Sequence, residues 1–367
     1  MRRRDISTGQ VNYTRRTLIT YRPHKLKELA KALVVPPEVE EFLRSCYKRD
    51  PRYPPIAVFK LLLLFFMSTF HHLTAFYEWA CEDTEFLRAV GFNLNYYGMP
   101  SYKTIWHFMM VRIGVEKIHE LFYVTLKVVK NKVESSLDVC VGRSAIMDAT
   151  PIEATSRDKE ASYNGHYKMR CYLWSRLLCA DTGLPLGFEV TTGSVHEGHI
   201  GLAIVYRAIL NGITIDDLWI DNKYAFSEAI ASYWLFGIRT HYRVSASWNF
   251  SRGTMWQKIF REYQRMWRGE DFKAYANYDE VLRYVAIHKS LRIVGQHLRS
   301  LAVDEWLEAP DTYREGITVR SIIEVDNGYA KRMSGLKGRE FRGRAHILLQ
   351  VGFYETSRLI LAYSRIG

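Results

Sequence analysis

Apolar and polar positions fall into three textures along the chain. From Met1 to about Leu137, apolar residues recur at three- and four-residue spacing, notably over Lys25–Leu33 and Pro37–Tyr47. That spacing predicts amphipathic helices. Ile56–Leu73, preceded by Pro54-Pro55, is too rich in Leu and Phe for a surface helix. It reads as the central helix of a bundle. Further helices are predicted over Glu78–Val90, from an N-cap at Ser101 through Val111, and over Glu116–Lys130. The whole zone reads as an all-α bundle of four to six helices.

The texture changes near Ser144. Ser144–Asp148 is a short apolar run that ends in a carboxylate. Cys171–Ala180 and Leu186–Thr192 are strand-like and flank Asp181-Thr-Gly, which predicts a hairpin. Ile200–Leu210 is helical, Leu218–Asp221 is another strand with a terminal carboxylate, Ser227–Phe236 is a helix capped by Ser227, and Ile238–Val244 is a strand. The order β-β-β-α-β-α-β implies a mixed sheet flanked by helices. A third texture, from about Ala246 to Gly316, is rich in Trp, Arg and Tyr. It precedes two more predicted helices, Ile317–Lys331 and Ala345–Tyr363.

Composition narrows the possibilities. The 367 residues are 48 % hydrophobic and 25 % charged, ordinary for a globular protein. Lys and Arg number 51 against 39 Asp and Glu, a net charge of +12, which favours a polyanionic partner. The longest apolar run, Leu61–Met67, is far short of the ~20 residues that span a bilayer. No apolar segment follows Arg2-Arg3-Arg4, as a signal peptide would require. Cys46, Cys81, Cys140, Cys171 and Cys179 show no C-x-x-C spacing, so neither a disulfide framework nor a zinc module is indicated. The expectation is a protein of the reducing cytosol, without membrane attachment, that meets nucleic acid.

Three acidic residues carry the candidate chemistry: Asp148, Asp221 and Glu324. Open sheets place their chemistry at strand ends, where the two aspartates fall. Carboxylates select hard cations such as Mg²⁺ or Mn²⁺, and two such ions can clamp the attacking and leaving oxygens of a phosphoryl transfer. Each residue also has a plain structural reading. A lone Asp after a strand is commonly a turn residue or cap, as expected of Asp216-Asp217. Glu324 could pair with Arg320 on a solvated helix face. At 100° per residue, Arg320 lies about 40° from Glu324 and about 20° from Lys331 around that helix, so one face carries all three.

The spacing Arg320, Glu324, Lys331, followed by Gly335-Leu336 and Arg342-Gly-Arg344, resembles the C-terminal Y-(2)-R-(3)-E-(6)-K signature of DDE-class insertion-sequence transposases. Ile317 stands at the tyrosine position, and Lys223 replaces a glycine usual after the second aspartate. Asp148 in Ile-Met-Asp-Ala-Thr and Asp221 in Trp-Ile-Asp-Asn-Lys-Tyr resemble the two aspartates of that class. The segments Gly165–Lys168, Asp181–Pro185 and Val195-His196 are similar to its hairpin region.

The resemblance implies an RNase H-like, mixed α/β catalytic core with a five-stranded sheet over 139–245 and 317–367. A helical DNA-binding or dimerisation domain over 1–138 would precede it, and 246–316 would be an insertion. It implies Asp148, Asp221 and Glu324 as catalytic residues and as ligands of two Mg²⁺ or Mn²⁺ ions. Arg320 and Lys331 would grip phosphates. The partners implied are double-stranded DNA, both terminal inverted repeats and target, and a second copy of the chain. The setting implied is a prokaryotic cytoplasm, at the nucleoid. Two other readings stay open: an inactive, transposase-derived DNA-binding protein, and a general RNase H-like nuclease.

Lys331, Arg332, Lys337, Arg339, Arg342 and Arg344 form a basic run with Glu340 as its one acid, either a DNA-backbone contact or a solvated face. Arg2–Arg4 with Arg15-Arg16 could be an arm on DNA or a tail. His196-Glu-Gly-His199 lacks the H-E-x-x-H spacing of a zinc site. Trp248, Trp256 and Trp267, interleaved with cations, read as an amphipathic packing face or as a base-stacking platform.

Overall fold

The structure is a computed structural model that describes residues 23–195, 197–242, 321–332 and 342–366, with 292, 295–296, 298–299 and 301. The N-terminal arm, most of 246–316 and the basic residues Arg320, Lys337 and Arg339 lie outside the described residues, as does His196.

The helical region comprises α1 (Pro23–Ala32), α2 (Pro37–Ser45), α3 (Pro55–Phe66), α4 (Leu73–Glu82), α5 (Thr84–Val90), α6 (Leu94–Tyr97), α7 (Tyr102–His107), a π-helical segment (Phe108–Ile113) and α8 (Gly114–Leu137). The helices are more numerous than the sequence pattern predicts, and two predicted helices are cut short or divided, whereas α8 runs beyond the predicted Glu116–Lys130 at both ends. The predicted 56–73 helix ends at Phe66, because Ser68 turns its hydroxyl onto the Phe65 carbonyl and closes the last turn. The predicted 78–90 helix is two helices: Asp83 accepts the Phe86 N–H at 2.9 Å and starts α5 afresh. Ser101 caps α7 as predicted, accepting the Thr104 N–H. Apart from Ile56 and Lys60, every residue of α3 is buried, as its composition requires.

The sheet is built from β1 (Ser144–Glu153), β2 (Ser162–Asn164), β3 (Met169–Cys179), β4 (Pro185–Thr192), β5 (Asp217–Ile220) and β6 (Arg239–Tyr242). β3 pairs antiparallel with β1 on one edge, and with β4 and the short β2 on the other. β1, β5 and β6 run parallel. The predicted five strands are all present, and the three-residue β2 is an addition. Between them lie α9 (Glu197–Leu210) and α10 (Ser227–Leu235), and after them α11 (Ser321–Arg332) and α12 (Arg344–Arg365). Two local expectations fail. Ser227 is the first helical residue of α10, not its cap, and the flanking Phe226 makes no side-chain cap bond. Asp217 is not a solvated turn residue: it opens β5 and pairs with His241 at 2.7 Å.

Helices cover both faces of the sheet. α9 lies on the face of Met147 and Gly187, where a Cβ on Gly201 would stand 2.6 Å from the Met147 sulfur. α11 and α12 lie on the other, and α8 packs along α12 beside the edge strand β4, touching both Gly187 and Phe188. Phe188 packs edge-on to Phe122 of α8, and Ile323 of α11 packs with Ile146, Leu178 and Trp219. Helices α8 and α12 approach so closely at Gly352 that a Cβ there would clash with the Ile118 side chain. Phe66 stacks on Phe353 with centroids 6.0 Å apart, so the helical region and the sheet share one apolar core.

Candidate active site

The site begins with strand register. β1 and β5 are parallel, with Ile146 opposite Trp219. Asp148 stands two residues further along β1, well before its end at Glu153, and Asp221 directly follows Ile220, the last residue of β5. Side chains alternate across a strand, so Asp148 emerges on the face of Ile146 and Trp219. That face is covered by α11, whose Ile323 is fully buried against Ile146 and Trp219. The next residue, Glu324, is exposed on the same helix turn. The helix is anchored again one turn on, where the Asn327 amide donates to Asp148 Oδ2 at 3.0 Å. Asp221 is ordered from its own backbone, accepting the Asn222 N–H at 2.8 Å.

The fold therefore docks the helix of Glu324 on the sheet face that carries Asp148, while Asp221 follows the neighbouring parallel strand. Carboxylate oxygens suit a hard divalent ion. Among the described residues, no three His, Cys, Asp or Glu side chains stand together as a ready-made metal cage. His199 of the His196–His199 motif packs against the Phe226 ring with centroids 5.0 Å apart. Lys223 lies over the Tyr167 ring at 5.0 Å, beside the second aspartate.

The basic run is only partly described. Lys331 and Arg332 end α11. Arg342 is exposed. The Arg344 side chain donates to the Val190 carbonyl at 2.8 Å and lies 3.7 Å from Glu189, so part of its capacity is used within the fold.

Beneath Asp148 lies a cluster that sequence reasoning missed. Arg176 is the cross-strand partner of Asp148 on β3, and it is completely buried. Its Nε donates to Glu355 at 2.6 Å, its Nη1 donates to Asn327 Oδ1 at 2.9 Å, and its Nη2 lies 2.5 Å from Asp326. Arg358 completes the group, 3.0 Å from Asp326 and 3.2 Å from Glu355. Burial works against the Arg176 charge, but Asp326 and Glu355 outweigh it and hold the guanidinium protonated. A signal existed in the sequence: Arg176 interrupts an apolar strand, and Glu355 and Arg358 interrupt an apolar helix. Charges in such runs need partners. Which partners they find is a tertiary matter.

A mixed sheet with helices on both faces, preceded by a helical region, is the arrangement of an RNase H-like transposase core. The model of the transposase DDE domain family matches residues 142–351, more than half of the chain. The chain belongs to that family. No curated protein and no solved structure matches it.

Proposed function

We propose that this transposase cuts DNA at the ends of an insertion sequence and joins them to target DNA by in-line phosphoryl transfer. Asp148, Asp221 and Glu324 would be its catalytic carboxylates. The observation that carries this reading is the hydrogen bond from Asn327 to Asp148, which ties the helix of Glu324 to β1, next to the parallel strand that Asp221 follows. The donor set fits two Mg²⁺ or Mn²⁺ ions, held by these three residues. Such ions, when bound, activate the attacking hydroxyl and neutralise charge on the phosphoryl oxygens. The chain's own part is to hold the carboxylates in place and to orient the strand. Arg320 and Lys331, by their spacing from Glu324, would hold phosphates beside the scissile bond, Arg through a planar fork and Lys as a point charge. Arg332, Lys337, Arg339, Arg342 and Arg344 would extend that contact.

A second surface supports a DNA partner. A cleft of about 920 Å³ opens in the helical region and is lined by Lys48, Arg49, Arg52, Lys103, His107 and Arg112, with Asp50 as the one carboxylate among the described residues that line it. Arg52 is used by the Tyr97 carbonyl and Arg112 by the Tyr47 ring. The π-helical segment Phe108–Ile113 forms part of the wall. Such a cleft suits a phosphate backbone. In this reading residues 1–138 act as the DNA-binding and dimerisation unit and 139–245 with 317–367 as the catalytic unit. A homodimer holds the two element ends in a prokaryotic cytoplasm, at the nucleoid. Among the described residues, no helix is long and apolar enough to cross a membrane.

The test is Mn²⁺-dependent nicking of a plasmid that carries the chain's own gene with its flanks. Wild type is expected to cut at the flank boundaries. Asp148→Asn is expected to bind the same DNA and leave it intact. Cleavage by Asp148→Asn at the wild-type rate would remove the carboxylate mechanism, and cutting without preference for the flanks would mark a general nuclease.

A further inference from the structure

Asp148 and Arg176 face each other across β1 and β3. An arginine opposite an aspartate would ordinarily form a direct ion pair with it. Here the guanidinium is turned to Glu355 and Asp326, and Asn327 occupies the place between. One amide serves both sides: Oδ1 accepts from Arg176 Nη1 at 2.9 Å, while Nδ2 donates to Asp148 Oδ2 at 3.0 Å. The two contacts define the amide orientation, because a guanidinium only donates and a carboxylate only accepts. Asn327 is buried, and its α11 neighbour Asp326 is locked by both arginines.

We infer that Asn327 is a positioning residue: a neutral link that fixes the Asp148 carboxylate for its cation while the buried Arg176–Asp326–Glu355–Arg358 quartet takes up the Arg176 charge. The inference deepens the catalytic reading above and rests on it. The quartet sums to zero charge, two guanidinium groups against two carboxylates, so it anchors the helix of Glu324 without neutralising the acidic face. A direct Arg176–Asp148 pair would compete with a divalent ion for the same oxygens. Asn327 instead is a neutral donor, so its bond to Asp148 Oδ2 adds no charge beside the carboxylate. Groups that orient a metal-binding side chain from behind typically set about 10- to 100-fold of its metal affinity.

The test measures Mn²⁺ binding to the full-length protein by electron paramagnetic resonance of the free ion, with thermal unfolding alongside. Asn327→Leu preserves volume and removes both polar contacts. Asn327→Ser keeps a polar group too short to bridge Arg176 and Asp148, and serves as the gentler variant. Both are expected to weaken Mn²⁺ binding about 10-fold or more. DNA retention at 50 mM salt is expected to stay within twofold of wild type. Wild-type Mn²⁺ affinity in whichever variant remains folded would overturn the positioning role, even if its melting temperature drops. Asp148→Asn distinguishes the two levels. If it binds Mn²⁺ as well as wild type does, the carboxylate reading itself fails and this inference with it. If it loses the ion while the Asn327 variants retain it, only the positioning role fails.

Discussion

Replacing Arg176 by methionine isolates an electrostatic commitment made wholly inside the fold. The Arg176 side chain is 0 % exposed, and its partners Glu355 and Asp326 are 0 % and 3 % exposed. Methionine preserves much of the volume and some of the packing on the Trp174 ring, which the guanidinium now overlies at 4.3 Å. It leaves two buried carboxylates sharing Arg358. Removing one partner of a buried ion pair costs about 3–5 kcal/mol, mostly as the desolvated charge left behind. At about 2 °C per kcal/mol, the lower end for large domains, the expected fall in melting temperature is about 6–10 °C by calorimetry. A second change separates this cause from poorer packing. Arg176→Met with Glu355→Leu leaves Asp326 and Arg358 as a balanced pair, and it is expected to recover at least half of the deficit. A shift under 2 °C for the single variant, or a double variant as unstable as the summed singles, would refute the uncompensated-charge argument.

Three further outcomes follow from other parts of the molecule. Burial raises the Glu189 carboxyl, but the hydrogen bond and charge of His119, the Val190 N–H and Arg207 outweigh it and bring it down to about 2. A depressed carboxyl stabilises the fold above its unfolded value near 4.5 and loses that contribution as pH falls towards 2. About 3 kcal/mol is at stake, about 2 of it gone by pH 3, and Glu189→Gln should flatten this acid limb in urea titrations at pH 6 and pH 3. An equally steep limb in the variant would assign acid sensitivity elsewhere. Lys48→Glu with Lys103→Glu in the helical cleft should weaken duplex binding and reduce the salt slope by about 0.9 for each phosphate no longer neutralised; an unchanged slope between 50 and 200 mM salt would remove the cleft from the DNA path. Gly352→Ala forces a methyl against Ile118 at the α8–α12 crossing and should cost about 1–3 kcal/mol, whereas a wild-type melt would show that the helices separate freely.

Local chemistry was legible in the chain itself. Apolar periodicity, the Asp181-Thr-Gly turn, the Ser101 cap and the strand-helix order gave the five core strands and the long C-terminal helix, since each depends on neighbours within a few residues. Asp148 and Asp221 stand out in the sequence as candidates, because a carboxylate closing an apolar run contrasts with it. Helix ends were less legible. The breaks at Phe66 and Asp83 turn on single side-chain hydrogen bonds that compete with a continuing helix, which apolar spacing does not register. Partnership lay beyond the sequence altogether. Nothing near Arg176 in the chain names Glu355, 179 residues away, as its counter-ion. Nothing near Asp148 names Asn327 as the donor that holds it. Burial makes such charges seek compensation, but only the packing of α11 and α12 against the sheet decides which group supplies it.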